Sequence, residues 1–336
     1  MIDFIKKKLN IIIILLSALI LVVCVFVVDN PKNLFNALTT AKPLWLICAF
    51  LCIACSWICE GAQLKFIANG IKSKLSFLNC IRNTMIGQLF NCITPFATGG
   101  QPMQIYHLTK NKVTLGEASC ILLARFAVYQ FALTAWSFIA VISKFYFFSD
   151  KISGFGYISF IGFTINTVVF IILLCVAFFP IFTRKAANIL IKLLAKLKFI
   201  KVQKIEEKIN NELEVFYRDF SVLKKNLKIL IMPVIMAFLQ LGFFFTIPFF
   251  VCMSLGAQSI DWYTIFCAAA YVLMISSFVP LPGGSGGAEG GFFVFFKVFI
   301  SQNGLLTVAI LLWRFFTFYL PIIVGTVFSR NIRKES

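Results

Sequence analysis

Charged residues make up only 13% of the 336 residues, about half the share of an ordinary soluble domain. Acidic residues are the scarcest, with 13 Asp and Glu against 31 Lys and Arg, and histidine occurs once. Hydrophobic residues account for 60% of the chain, which excludes a water-soluble globular protein. The apolar runs are continuous rather than alternating, which excludes a porin-like barrel. The composition therefore predicts an all-α polytopic membrane protein.

Motifs for common cofactor and metal chemistry are also missing from the sequence. There is no P-loop, no nucleophile elbow and no HExxH pattern. His107 is the single histidine and cannot form a His-rich metal site. Four cysteines, at positions 48, 52, 55 and 59, share one helical face, where small residues are best explained by helix packing. We therefore expect no cofactor, no metal and no ATP-driven step.

Hydrophobic runs long enough to cross a bilayer predict a single transmembrane domain over residues 1–336. Two further apolar stretches, residues 84–102 and 263–300, are interrupted by Pro and Gly and predict re-entrant hairpins. The six full spans are predicted at residues 9–28, 43–67, 115–142, 154–182, 229–255 and 305–328.

The distribution of basic residues predicts the orientation in the membrane. With the N-terminus inside, 24 of the 31 Lys and Arg fall on the cytoplasmic side, as do both termini. Residues 184–228 hold twelve basic and five acidic residues and predict amphipathic helices on the cytoplasmic membrane surface. A plain solvated connector is the alternative. The net charge of +18 is explained by topology and anionic lipid better than by nucleic acid.

Two segments of the chain resemble each other. In the first, Pro95 and a Gly-Gly pair precede an Arg-Phe pair at Arg125, 30 positions after the proline. In the second, Pro280 and a Gly-Gly pair precede the Arg-Phe pair at Arg314, 34 positions later. The predicted topology places the two copies in opposite orientations, an arrangement typical of transport folds with a site near the midplane. Coincidence between apolar, glycine-rich segments is the alternative.

The two arginines within apolar spans are the main candidates for function. A charge there costs about 3 kcal/mol, so each should face a cavity or a partner. Each arginine could form a structural ion pair, with Glu289 or Glu60, or could bind an anion such as a phosphate. Exposed N–H groups at the glycine-rich breaks also favour a phosphate or carboxylate. The candidate headgroup-binding residues are Arg125, Arg314, Gly99, Gly100, Gln101, Gly283, Gly284, Gly286, Gly287 and Glu289.

Three segments together resemble the lysylphosphatidylglycerol synthase transmembrane family, the flippase-like membrane region of the bacterial multiple peptide resistance factor. They are ATGGQPMQIY at residues 97–106, PLPGGSGGAE at residues 280–289, and residues 314–325 around Tyr319-Leu320-Pro321. The resemblance covers essentially the whole chain. It implies a flippase-like protein that moves phosphatidylglycerol or its aminoacyl derivative. Full-length members add a soluble lysyltransferase domain, and we expect this chain to be of a type without it.

The sequence therefore favours a lipid translocase, with Arg125 and Arg314 holding the headgroup phosphate between the two hairpins. One alternative is a phosphatidylglycerol lysyltransferase that uses lysyl-tRNA. The other is a membrane scaffold for a separate synthase. The expected partner is an anionic phospholipid. If the protein is a scaffold, a separate synthase is also a partner. The chain could also form a homo-oligomer.

Overall fold

The computed structural model describes residue 39 and residues 41–178, 202–257, 260–276, 279, 281–300 and 302–329. All elements within these ranges are helical. Five helices are long and apolar enough to cross a membrane, which confirms the all-α polytopic class. They correspond to the last five of the six predicted spans. The first predicted span, residues 184–201 of the basic segment and the basic residues after 329 lie outside the described ranges.

The helices follow the chain in a simple order. They are α1 (Pro43–Gly70), α2 (Phe77–Ile93), α3 (Gly100–Lys110), α4 (Leu115–Lys151), α5 (Phe155–Phe178), α6 (Val202–Lys225), α7 (Ile231–Ser254), α8 (Trp262–Ser276), α9 (Gly287–Phe296), α10 (Asn303–Arg314) and α11 (Leu320–Ser329). Short 3-10 turns at Pro95–Ala97 and Pro282–Gly284 separate α2 from α3 and α8 from α9. We name them tip 1 and tip 2. A π-helical turn, Phe315–Tyr319, joins α10 to α11.

Polar side chains cap the N-terminal ends of helices α2 and α8. Ser76 accepts a hydrogen bond from the Asn79 N–H at 3.2 Å at the start of α2. Asp261 accepts from the Thr264 N–H at 3.0 Å at the start of α8. Hydrogen bonding from Thr264, with Lys144 close by, holds the pKa of Asp261 below its usual range. These caps set where α2 and α8 begin.

Helices α1 and α7 pack side by side in opposite directions. The Lys42 N–H, just before α1, donates to the carbonyl of Ser254, the last residue of α7, at 2.8 Å. At the other end, Gly70 lies against Ile229, just before α7. These contacts define two ends of the bundle, the Lys42 end and the Gly70 end.

The hairpin of α2 and α3 opens toward the Gly70 end. Asn79 at its start donates to Asn111 at its finish at 3.3 Å, so both legs return to the same side. The hairpin of α8 and α9 opens toward the Lys42 end, where Tyr263 donates to Ser143 at 2.9 Å. Tips 1 and 2 then contact each other inside the bundle. The two hairpins enter from opposite ends, as the sequence predicted.

The two tips have the same backbone conformation. Phe96 and Ala97 adopt φ of 52° and 53°, and Gly283 and Gly284 adopt 60° and 63°. A hydroxyl closes each turn, because Thr98 donates to the Pro95 carbonyl at 2.9 Å and Ser285 donates to the Pro282 carbonyl at 2.8 Å. Helix α1 precedes the hairpin that carries tip 1, and the antiparallel helix α7 precedes the hairpin that carries tip 2. The two sets of elements therefore form an inverted structural repeat.

The register of this repeat differs from the sequence-based prediction. The sequence pattern aligns Pro95 with Pro280. The hydrogen bonds and dihedral angles of the two turns align Pro95 with Pro282 instead. The prediction followed the Gly-Gly pairs, and these occupy different positions in the two turns. Gly99 and Gly100 correspond to Gly286 and Gly287, which begin the next helix.

Helix α6 packs on the Gly70 end of the bundle. Phe216 and Leu223 are buried in an apolar cluster with α1 and α4, whereas Arg218 and Lys225 are exposed. The Gly116 N–H donates to the Glu212 carboxylate at 2.6 Å and fixes α6 against the start of α4. An amphipathic helix in the basic segment is therefore present, and its position on a membrane surface stays a prediction.

We predict that Gly325→Ala destabilises the bundle, because a Cβ at Gly325 would lie 2.6 Å from the Met85 carbonyl oxygen of α2. Overpacking of this kind costs about 1–3 kcal/mol. Gly242→Ala is the matched control, since a Cβ there meets nothing within 4 Å. Thermal unfolding in detergent should show a lower midpoint for the first variant and no decrease for the second. Equal midpoints would contradict the close contact between α11 and α2.

Candidate functional site

A cavity of about 450 Å³ lies where the two tips meet. Its walls come from all the described helices except α6, together with tips 1 and 2. The polar lining side chains are Ser56, Glu60, Gln88, Asn91, Gln101, Arg125, Tyr129, Gln130, Asn166, Gln240, Ser276, Arg314 and Thr317. A cavity of this size can hold a small polar ligand. It brings both predicted arginines to one site.

Arg125 is paired with Glu60, the weaker of the two predicted acidic candidates. An Nη atom of Arg125 lies 2.8 Å from Oε1 of Glu60, and both side chains are more than nine-tenths buried. Glu60 Oε2 accepts hydrogen bonds from Gln88 at 2.7 Å and from Gln240 at 3.1 Å. Gln63 in turn donates to Gln240 at 2.7 Å. Both carboxylate oxygens of Glu60 are therefore engaged by protein donors.

Arg314 is paired with Glu289 in a bidentate geometry. Its Nε and one Nη atom each lie 2.8 Å from a carboxylate oxygen of Glu289. The other Nη atom donates to the Gly283 carbonyl at 3.1 Å. Glu289 also accepts from the Gly286 N–H at 2.6 Å. This pair joins α10 to both sides of tip 2, so it holds the second hairpin in place.

The two arginines differ in the donors that they have left. All three nitrogens of Arg314 bond to protein atoms. Arg125 bonds through one Nη atom, and its buried Nε has no partner among the described residues. A buried, unpaired donor costs about 1–3 kcal/mol, more when it is charged. Of the five N–H donors of each guanidinium, Arg125 therefore uses one and Arg314 uses three for described protein acceptors, so Arg125 has more capacity left for an anion.

The predicted glycines fulfil different roles from those expected. Gly283 and Gly284 line the cavity with positive φ. Gly99 and Gly100 do not use the positive φ that glycine permits, since Gly99 has φ of −80° and Gly100 lies in α3. A Cβ at Gly100 would instead lie 2.1 Å from Asn91 Oδ1, so this glycine permits close packing.

Of the remaining predicted site residues, one lines the cavity and three lie outside its lining. Gln101 lines the cavity beside tip 1. Gly286 and Gly287 begin α9 and, like Glu289, lie behind tip 2 outside the lining. Of the candidate set, Gln101, Arg125, Gly283, Gly284 and Arg314 meet at the cavity. Whether they bind a headgroup stays a prediction.

Several cavity side chains had not been singled out from the sequence. Gln88 and Asn91 lie on α2, Gln240 lies on α7, and Gln130 donates to Asn166 at 3.0 Å between α4 and α5. The available signal was a neutral amide within an apolar stretch, because such groups are costly in hydrocarbon without a partner. Amides from these four helices thus reach one cavity, whose lining is otherwise largely apolar.

Residues 12–325 match the family described as "Lysylphosphatidylglycerol synthase TM region". The match spans most of the chain, so the protein belongs to this family. The chain is also 25% identical over 310 residues to a "UPF0104 membrane protein" of Archaeoglobus fulgidus. That similarity covers 90% of this chain and 91% of the archaeal protein. The membrane-protein class and the family resemblance are thereby confirmed.

We predict that Glu289→Ala strongly destabilises the protein, because it leaves the buried Arg314 charge without its partner. Breaking a buried ion pair from one side costs about 3–5 kcal/mol. Asp261→Asn is the comparison, since it weakens the exposed Lys144–Asp261 pair, worth about 1 kcal/mol or less. Thermal unfolding of the detergent-purified proteins measures both. Similar shifts for the two variants would contradict a structural role for the Arg314–Glu289 pair.

Proposed function

We propose that this member of the family binds the headgroup of a membrane phospholipid in the central cavity and moves it across the bilayer. The observation that supports the proposal is a polar cavity, bounded by the tips of two opposed hairpins, inside an apolar bundle. Opposed broken helices around a midplane site are typical of transporters.

The headgroup phosphate is bound by Arg125 in this proposal. The Arg125 side chain lines the cavity together with the amides of Gln88, Asn91 and Gln101, and only one of its three nitrogens is bonded to a described residue. Charge-assisted hydrogen bonds from a guanidinium suit a phosphate well. Arg314 mainly stabilises tip 2 through Glu289. This division of roles revises the expectation that both arginines hold the phosphate.

The acyl chains stay in the bilayer while the headgroup occupies the cavity. Phe96 at tip 1 is 57% exposed and lines the cavity, so an apolar side chain stands where a glycerol backbone would pass. The described basic residues at the Gly70 end, among them Lys72, Lys112 and Lys225, outnumber those at the Lys42 end. The positive-inside rule then makes the Gly70 end cytoplasmic. Movement is passive or ion-coupled.

Replacing Arg125 should slow translocation; because the change also leaves the buried Glu60 without its partner and lowers stability, rates are compared only for protein that elutes as a folded species in size-exclusion chromatography. We predict that Arg125→Gln lowers the rate of headgroup movement at least tenfold in vesicles of phosphatidylglycerol and phosphatidylcholine. The readout is dithionite reduction of a phosphatidylglycerol labelled on its acyl chain. Arg218→Gln is the matched control, because Arg218 is exposed on α6 far from the cavity. Wild-type rates in Arg125→Gln would contradict the proposed site.

Lipid mass spectrometry separates translocation from lipid synthesis. We expect no new lysylphosphatidylglycerol when the chain is expressed in a host that makes phosphatidylglycerol but no lysyl derivative. Cells carrying an empty vector provide the baseline, and detection of the protein in the membrane fraction is required. Appearance of the lysyl lipid would identify the chain as a lysyltransferase and overturn the proposal.

A further inference from the structure

The charged side chains at the central cavity cancel each other. Arg125 and Glu60 line the cavity as an ion pair, and Arg314, which also lines it, is paired with Glu289. All four side chains are at least nine-tenths buried. The described charges at the cavity therefore sum to zero before a headgroup enters.

A phosphodiester headgroup would bring one uncompensated negative charge into this neutral site. A buried charge without a counter-charge is strongly unfavourable, so a positive species should enter together with the phosphate. Glu60 is the only carboxylate among the described lining residues, and protein donors engage both of its oxygens. A metal cation needs several oxygen ligands and would find no free carboxylate oxygen there, whereas a proton needs one oxygen only. The lining therefore favours a proton as the compensating charge.

The hydrogen bonds of Glu60 suit a carboxyl group that gains and loses a proton. Arg125 bonds to Oε1 alone, and Oε2 accepts from the neutral amides of Gln88 and Gln240. Gln63 donates to Oε1 of Gln240, which orients the Gln240 amide so that its NH2 group faces Glu60. An amide N–H donates to the carbonyl oxygen of a neutral carboxyl group as well as to a carboxylate. Oε2 therefore keeps both amide donors when Oε1 is protonated.

Glu60 is the group at the cavity that can balance a phosphate by gaining a proton. The other titratable or charged groups of the described lining are Cys92 of α2, Arg125 and Tyr129 of α4, and Arg314 of α10. Guanidinium groups stay charged, and phenols and thiols are mostly neutral near pH 7, so none of these can take up the compensating proton. Helix α7 faces Glu60 with the Gln240 amide. Glu289 lies outside the lining, and Arg314 engages both of its oxygens.

We infer that headgroup movement is coupled to protons, with Glu60 as the proton-binding residue. The phosphate replaces Glu60 as the partner of Arg125, and a proton from the adjacent solution forms an O–H bond at Oε1 of Glu60, so the occupied cavity is neutral again. No bond of the lipid changes and no electron is transferred. The lipid and the proton cross together, and release of both re-forms the Arg125–Glu60 pair. The inference rests on the proposed function and names its co-substrate.

A pH gradient tests the coupling directly. Acyl-labelled phosphatidylglycerol is placed in vesicles that contain the wild-type protein and are one pH unit more alkaline outside, and dithionite reports its distribution between the leaflets. Because one proton crosses with each anionic headgroup, we expect about tenfold accumulation of the label in the outer leaflet. Protein-free vesicles give the baseline, and nigericin should remove the accumulation. An even distribution under the pH gradient, or accumulation that follows a sodium gradient instead, would overturn the inference.

Proton uptake on binding distinguishes failure of the inference from failure of the proposed function. Short-chain phosphatidylglycerol is titrated calorimetrically into the detergent-purified wild-type protein at pH 7, in buffers of different ionisation enthalpy. We expect uptake of about one proton for each lipid bound. Binding and translocation without proton uptake would overturn the inference and leave the translocase intact. Proton uptake on binding without any translocation would support the proton site and contradict the translocase, and absence of binding would contradict both.

The variant Glu60→Gln tests the assignment to this residue. Its amide keeps a carbonyl oxygen for the two neighbouring glutamines and places an N–H donor where the protonated oxygen would be, so it imitates the neutral carboxyl group. We expect no proton uptake on lipid binding and no accumulation under the pH gradient. Glu214→Gln is the matched control, because Glu214 is exposed on α6 outside the cavity, and it should behave as the wild type. Proton uptake retained in a folded Glu60→Gln protein would contradict the assignment; if this variant does not fold, the two wild-type measurements decide.

Discussion

Every backbone polar group in the apolar bundle must find a hydrogen-bond partner. This requirement governs the structure. A helix meets it internally, but a chain that turns back at mid-depth does not. Both tips meet it with the same compact turn, closed by the Thr98 hydroxyl in one copy and the Ser285 hydroxyl in the other. The tips also lie against each other. The central cavity lies where these two non-helical breaks meet.

The same requirement applied to charge gives the two copies of the repeat different roles. Each contributes an arginine deep in the bundle, and each arginine has a carboxylate partner. Glu289 comes from the hairpin itself, so the Arg314 pair is a rigid brace for tip 2. Glu60 comes from α1 and is shared with two glutamines, which leaves the Arg125 guanidinium partly open. An inverted repeat with unequal pairing can thus hold one half firmly while the other half receives a ligand.

Backbone strain is unequal between the copies as well. Gly283 and Gly284 adopt positive φ without steric cost. Phe96 and Ala97 adopt the same conformation at a steric cost, because each has a Cβ. The sequence did not reveal this difference, because it shows which residues tolerate a conformation and not which residues adopt it. The matching turn in tip 1 is imposed by its surroundings, and its result is a phenyl ring at the mouth of the cavity. Strain retained at such a place is consistent with a functional position.

The sequence by itself determined the membrane class, the long helices and the two Pro- and Gly-interrupted hairpins, because run length and helix breakers are local properties of the chain. It also marked Arg125 and Arg314, since a charge in an apolar span stands out without any structure. Only the tertiary structure decided that Pro95 corresponds to Pro282, that neutral amides from four helices line one cavity, and that Arg125 keeps more unpaired N–H donors than Arg314. Those facts depend on which side chains from distant segments meet, and such contacts are set by packing rather than by local residue pattern.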